Sequence, residues 1–505
     1  DMTPLYVSSF NALFSDFKYV VQGSDSLYVN GLSVSSSEGR FEIDTLSYVS
    51  SQNHQNLLFP VIKASGFNLD RFWRSNELTL DSLEFKSPII LIELPKKGTG
   101  ETSIDLNFNK VDIGWLSFAE SKFTLLDSKV KVQRTFSGIS LTLREFSSTQ
   151  KLVLDQPLDR IKGLSISGGD LKFSIDENYT LNIGKYNLQY PENNLELSNL
   201  ILSPIYSPLE YSRTLDYQKD WFDISVSKLS FNGLNFQKWL DKDLLEIEKA
   251  SIHQVDAHIY RDKGIPFPMT QVRALPQSML RGVDIPLKLD SLEMDGDITY
   301  QEKSMRSNVA GEISFNQLDA SLTNFNSIKG DSKESMILRA RGKFMNAAEF
   351  KASVRFDMNH PKDQFMFTGE VKNFDLYLLN KILNPLVNLN IKSGYSKQMS
   401  FSFMANKDFA QGNMKFRYDN LKVQLLSQES NSTKGLGPGV KTLFANTFLI
   451  KRKNPRFVLL RDGNIFTERD TSRAIFNYWG KALFSGVVSS IGINKSSKQE
   501  KKYFK

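Results

Sequence analysis

Leu78-Thr-Leu-Asp-Ser-Leu-Glu-Phe85 recurs almost unchanged as Leu287-Lys-Leu-Asp-Ser-Leu-Glu-Met294, and more loosely as Leu245-Glu-Ile-Glu-Lys-Ala-Ser-Ile252. Each copy reads as alternating apolar and polar residues, the period of a strand with one buried face, and continues into another β-type run. Recurrence of such a unit predicts an extended stack of repeated β-elements rather than a compact enzyme fold. The repeat continues outward from the motif. Phe41-Glu-Ile43 and Leu46 match Leu195-Glu-Leu197 and Leu200, and Gly66-Phe-Asn-Leu-Asp-Arg-Phe72 matches Gly233-Leu-Asn-Phe-Gln-Lys-Trp239. Residues near 27–97 and near 180–263 therefore read as two editions of one block within an N-terminal region, 1–280. The third copy opens a second region, 281–430, and a tail follows at 431–505.

Composition agrees with β-structure. Phe (37) and Tyr (17) are abundant although only 40% of the chain is apolar, which suits much covered sheet surface and little thick core. With no cysteine, disulfides and thiolate metal sites are excluded. No run of eighteen or more apolar residues marks a membrane span. Charge is uneven: residues 431–505 hold 15 Lys and Arg against 4 Asp and Glu, a net of +11. The whole chain is +7, which leaves −4 for residues 1–430. A mildly acidic body with a strongly basic tail seeks anionic partners.

Period-two runs dominate: Ile89-Ile-Leu-Ile-Glu-Leu94, Ile139-Ser-Leu-Thr-Leu143, Leu171-Lys-Phe-Ser-Ile175 and Phe222-Asp-Ile-Ser-Val226 are examples. Short helices are few, with single turns near Phe72-Trp73 and Gln237–Leu240, and a longer one from about Phe374 to Leu383. In the second region Val354, Phe356 and Met358 share a face. So do Met399, Phe401 and Phe403, and Met414, Phe416 and Tyr418, with polar alternates. These residues are the candidate lining of one apolar concavity. A large antiparallel sheet with an apolar face and no helical layer must curl, pair with another sheet, or hold something apolar.

Residues for catalysis are missing from the pattern. The histidines are His54, His253, His258 and His360, and the pair five apart on a strand points to opposite faces. Asp256 and His258 share a face with no nucleophile beside them. Gly163-Leu-Ser-Ile-Ser-Gly-Gly169 is not a nucleophile elbow, and Gly435-Leu-Gly-Pro-Gly439 lacks the lysine of a phosphate loop and reads as a hinge. The expectation is a protein with no catalytic residues, no metal and no cofactor.

The tail segment Ala474–Ile491 carries one charge, and Ile475, Phe476, Trp479, Leu483 and Val487 fall at helical spacing. Basic residues flank it: Lys451, Arg452, Lys453, Arg456, Arg461 and Arg473 before, Lys495, Lys498, Lys501 and Lys502 after. Two readings stay open. The stripe enters an anionic membrane interface with Lys451–Lys453 on the headgroups, or it docks on the apolar face of the sheet as a plug. Nucleic acid is not the expected partner, because the aromatics sit among aliphatics rather than among the basic residues.

From about Leu275 to Leu426 the chain resembles the C-terminal region of the AsmA-like proteins, including the TamB-type members. The likeness is carried by Ile285-Pro-Leu-Lys-Leu-Asp-Ser-Leu-Glu-Met-Asp-Gly-Asp-Ile-Thr-Tyr300, Phe367-Thr-Gly-Glu-Val371 and Gln411-Gly-Asn-Met-Lys-Phe-Arg-Tyr-Asp-Asn-Leu-Lys-Val-Gln-Leu425. The resemblance implies a long twisted antiparallel sheet curled into a U-shaped apolar groove. It further implies a role in moving phospholipids between inner and outer membranes, or in outer-membrane assembly, in the periplasm of a diderm envelope. The expected partners are phospholipids, an anionic membrane surface and outer-membrane barrel proteins. Anchoring in the inner membrane is expected through an N-terminal segment absent from this chain. A structural or assembly factor that templates β-proteins at a sheet edge is the alternative, and a surface adhesin a further one.

Overall fold

The computed structural model describes residues 10–20, 25–50, 55–93, 103–127, 132–153, 157–268, 272–305, 307–328, 334–426, 450–455, 458–493 and 495–503. The fold is mainly β, with a mostly antiparallel sheet and short helices. Among the described residues the strands are β1 (Asn11–Val20), β2 (Ser26–Ser35), β3 (Arg40–Ser50), β4 (Gln55–Phe59), β5 (Val61–Ser65), β6 (Glu77–Lys86), β7 (Ile89–Glu93), β8 (Ser103–Asp127), β9 (Val132–Val153), β10 (Gly163–Ser174), β11 (Tyr179–Tyr190), β12 (Asn194–Pro204), β13 (Trp221–Asn232), β14 (Leu245–Asp262), β15 (Leu287–Lys303), β16 (Gly311–Asn326), β17 (Met336–Phe344), β18 (Ala348–Phe356), β19 (Phe365–Asp375), β20 (Leu389–Ala405), β21 (Phe409–Leu425) and β22 (Asp462–Glu468). The helices are α1 (Leu69–Ser75), α2 (Pro208–Arg213), α3 (Phe236–Lys242), α4 (Pro276–Leu280), α5 (Asn380–Val387), α6 (Ile475–Ser490) and α7 (Lys495–Tyr503).

Two compact units divide the chain. The first holds Asp1–Lys172, Ile183–Ser198 and Asn232–Leu240; the second holds Phe173–Asn182, Asn199–Phe231 and Asp241–Lys505. In the first unit β1, β2, β3, β5 and β6 pair antiparallel in that order, β6 runs parallel to β8, and β8, β9 and β10 continue antiparallel. In the second unit β14 runs parallel to β15, and β15 through β22 then follow antiparallel in chain order.

The repeated motif builds the parallel pair of each unit. In the second unit the looser copy and the third copy lie side by side, Leu245 against Leu287, Ile247 against Leu289, Ala250 against Leu292 and Ile252 against Met294. In the first unit Leu78, Leu80, Leu83 and Phe85 pair with Val111, Ile113, Leu116 and Phe118 of β8. The β8 stretch is thus a further copy, visible once the register is known. Apolar residues stand at the first, third, sixth and eighth places, so the alternation slips between the third and the sixth. Leu78, Leu80 and Leu83 nevertheless join one cluster with Ala64, Val111, Ile113 and Leu116. A strand can keep both halves on one face only by kinking at the slip. Other strands use a left-handed residue for the same purpose. Met414, Phe416 and Tyr418 precede Asn420 (φ 53°), Leu421 and Val423 follow it, and all five belong to one core.

The turn before each block's short helix is also shared. Gly66 and Gly233 have φ of 71° and 66°, a region open to glycine. Two residues later Asn68 Oδ1 accepts the Arg71 N–H at 3.0 Å and Asn235 Oδ1 accepts the Lys238 N–H at 3.0 Å, so both helices start on an asparagine cap.

Candidate functional site: transverse apolar rows

Cross-strand partners in a sheet share a face, so register decides which side chains form a continuous surface. In the first unit two rows cross the strands. One runs Leu32, Ile43, Ile62, Phe85, Phe118, Leu141, Ile166; the other runs Val34, Phe41, Ala64, Leu83, Leu116, Leu143, Leu164. Every step in each row is a direct partner pair. Seven strands at about 4.8 Å give a strip on the order of 30 Å long. That is roughly twice the depth one leaflet's acyl chains occupy in a bilayer core about 30 Å thick. Ile62 and Ala64 are buried and the other row members are half-buried. Phe85 stacks on Phe118 with centroids 4.6 Å apart, which gives the strip a flat aromatic floor at its middle.

The second unit carries the same construction. Its row runs Ala250, Leu292, Leu322, Leu338, Val354, Phe367, Phe403, Gly412, Ile465. Leu292, Leu322 and Leu338 are half-buried, whereas Val354, Phe367, Phe403 and Ile465 are buried. Over the last strands of the row the cover is α6. Trp479 lies 4.7 Å from the Phe367 ring and 6.5 Å from Phe365, and Tyr478, Ala482 and Val488 enter the same core. Gly486 makes this close approach possible: a Cβ there would meet Ile465 Cγ1 at 2.8 Å and Met414 Cε at 3.0 Å. Serines on the helix also satisfy β22. Ser489 Oγ accepts the Asn464 N–H at 2.9 Å and Ser485 Oγ the Phe466 N–H at 3.1 Å. Backbone donors on this strand therefore end on hydroxyls instead of standing open to another strand.

The nine residues assigned to the apolar concavity come together. Val354, Phe356, Met358, Phe401, Phe403, Met414, Phe416 and Tyr418 are buried in one cluster, and Met399 is half-buried against it. Of the tail stripe, Ile475, Trp479, Leu483 and Val487 pack against that cluster, while Phe476 is 74% exposed. Lys451, Arg452 and Lys453 are exposed. Gly435–Gly439 and Arg456 lie outside the described residues, as do the side chains of Lys495 and Lys498. Of the described helices, none is long and apolar enough to cross a membrane.

Polar groups here serve the scaffold. Asp363 is fully buried and accepts from Ser278 Oγ and from Arg281, with Lys407 Nζ at 3.4 Å. Burial by itself would raise its pKa, but those donors and cations outweigh it and hold the carboxyl below the ordinary value. Arg281 also donates to the Met358 carbonyl at 2.9 Å, so the cluster fastens α4 to the turn after β18. Burial pushes the Tyr478 hydroxyl up; it donates to the Asn406 carbonyl at 3.2 Å, with Arg469 over its ring. His253 Nδ1 sits 2.6 Å from Asp295 Oδ2 in an exposed pair. Among the described residues no group of three or more His, Cys, Asp or Glu could hold a metal ion.

The residues of the first unit's rows were visible as alternating runs, but sequence reasoning did not single them out for binding. The usable signal was Leu-x-x-Leu-x-Phe at the end of the motif, repeated in β8 as Leu116-Ser-Phe118. No family model matches this sequence, and no curated protein matches it.

Proposed function

We propose that this chain is a lipid-conduit protein of a diderm envelope, which holds phospholipid acyl chains on apolar rows of its sheet and passes them between inner and outer membranes. The observation that carries the reading is the pair of seven-strand rows in the first unit. They offer a long strip of aliphatic and aromatic side chains, most of them half-buried. Acyl chains need a continuous dry surface of this kind, since their binding is non-directional and scales with covered area. The resemblance of Leu275–Leu426 to AsmA-like proteins supports the same class and a periplasmic setting. In this reading α6 caps the apolar face over β19–β22, the chain performs no chemistry, and it needs no cofactor. Native mass spectrometry of the chain purified without detergent tests it. Adducts of phospholipid mass are expected, and a lipid-free protein from lipid-replete cells would overturn the proposal.

One observation favours the alternative of an assembly factor for outer-membrane β-proteins. β1 pairs with β2 and presents Leu13, Phe14, Phe17, Tyr19 and Val20 largely exposed, with Leu13 at 81%. A long apolar strand of this kind templates strand addition. A Phe17→Pro variant that loses copurifying barrel proteins while keeping its lipid would favour that role.

A further inference from the structure

Most exposed apolar side chains in the second unit stand singly, but Val458 and Leu459 are adjacent and almost fully exposed, at 94% and 88%. They do not sit on a loose end. Just before them Asn454, itself buried, donates through Nδ2 to the Phe416 carbonyl at 2.7 Å and to the Arg461 carbonyl at 2.9 Å. Its Oδ1 accepts the Arg461 N–H at 2.8 Å. Its backbone pairs with Tyr418 in both directions, at 2.9 and 3.1 Å. Arg461 in turn donates to the Ser490 carbonyl of α6 at 2.7 Å. One buried asparagine thus clamps both feet of the loop to β21 and to the end of α6.

The neighbourhood of this tip is cationic. Lys451, Arg452 and Lys453 are exposed immediately before Asn454, and with Asn420 and Ile450 they line a shallow cleft. The Arg452 carbonyl accepts from Leu421 N at 2.8 Å, which fixes the basic run along β21. The nearby carboxylate of Asp419 is engaged by Lys397 at 2.9 Å. An exposed aliphatic pair between the anchored residues Asn454 and Arg461, beside a basic cleft, matches a bilayer surface, with apolar insertion below the headgroups and cations at the phosphates.

We propose that Val458 and Leu459 insert into an anionic bilayer while Lys451, Arg452 and Lys453 engage its phosphate headgroups, so that this loop, not the stripe of α6, is the membrane contact of the second unit. The inference rests on the lipid-handling reading for its choice of partner, yet the two fail separately, because one is read by vesicle binding and the other by bound lipid. The test is co-flotation of the full chain with phosphatidylglycerol–phosphatidylcholine vesicles and with phosphatidylcholine vesicles. The wild type is expected on the anionic vesicles, less so as salt rises. The double variant Val458→Asp/Leu459→Asp and the triple variant Lys451→Glu/Arg452→Glu/Lys453→Glu should each lower partitioning by about tenfold or more. Both should keep the wild-type melting temperature and copurified lipid. Phe476→Asp, at the exposed start of α6, should bind as the wild type does. Wild-type protein that ignores anionic vesicles or partitions equally onto neutral ones, or a loop variant that binds undiminished, would overturn the proposal.

Discussion

Phe118 of the first unit and Phe403 of the second each stand in a transverse apolar row that includes a parallel pair of motif strands. Phe118 is half-buried, whereas Phe403 is 1% exposed because α6 lies over the last strands of its sheet. Both units build apolar rows across a parallel pair and its antiparallel neighbours, and they differ in what covers those rows. Edge treatment differs in the same sense, since β22 is capped by Ser485 and Ser489 while β1 presents a run of exposed apolar side chains. Cover, rather than strand pattern, separates a buried core from a half-exposed apolar surface.

The contrast is open to attack by substitution. Phe403→Ala should cost about 3–5 kcal/mol, as full burial of an aromatic implies, and Phe118→Ala less than half of that. Hydrogen exchange read by mass spectrometry would assign the lost protection to each unit; equal losses would erase the distinction. For the same reason Phe401→Asp and Phe416→Glu should unfold the second unit rather than merely block lipid, because both side chains are buried beneath the cap. Phe85→Asp with Phe118→Asp should instead leave the melting temperature within a few degrees and strip bound phospholipid, with several kcal/mol opposing acyl contact at a charge.

A smaller effect concerns the ionic clamp under α4. The folded-state pKa of Asp363 is depressed, so its contribution to stability is complete above the ordinary value of 3.8 and disappears as pH falls through the lower folded-state value. Asp363→Asn should cost about 1–3 kcal/mol at neutral pH and flatten the acid limb of a stability–pH curve. An unaltered acid limb would place the titrating group elsewhere. The smallest expected change sharpens the duplication itself. Asn68→Ala and Asn235→Ala each remove one helix cap, and each should cost about 1 kcal/mol in thermal unfolding. Markedly unequal costs would mean that the two turns are alike in geometry but not in what they support.

The mainly-β class and the motif copies were legible because alternation and self-similarity survive in one sequence. Which copies would touch was not legible. That Leu245–Ile252 lies against Leu287–Met294, and Leu78–Phe85 against Val111–Phe118, depends on register, and the β8 copy keeps only the apolar places of the motif. The second unit's apolar residues were legible as a shared face, but their cover was not. An apolar helix with basic flanks suits a bilayer and a sheet equally well by composition. The docking rests on features too small to stand out, namely Gly486 against Ile465 and two serine hydroxyls of α6 that accept from the β22 backbone. Val458 and Leu459 were passed over because the short apolar run Phe457-Val-Leu-Leu460 carries no period.

Site-specific photocrosslinking to phospholipid measures the central claim most directly. A photoreactive residue placed at Leu116, in the half-buried row of the first unit, should label copurifying phospholipid, and the same residue at Ala482, within the capped core, should label protein alone. Lipid adducts at Ala482 with none at Leu116 would contradict the account, because the acyl chains would then occupy the face that α6 covers.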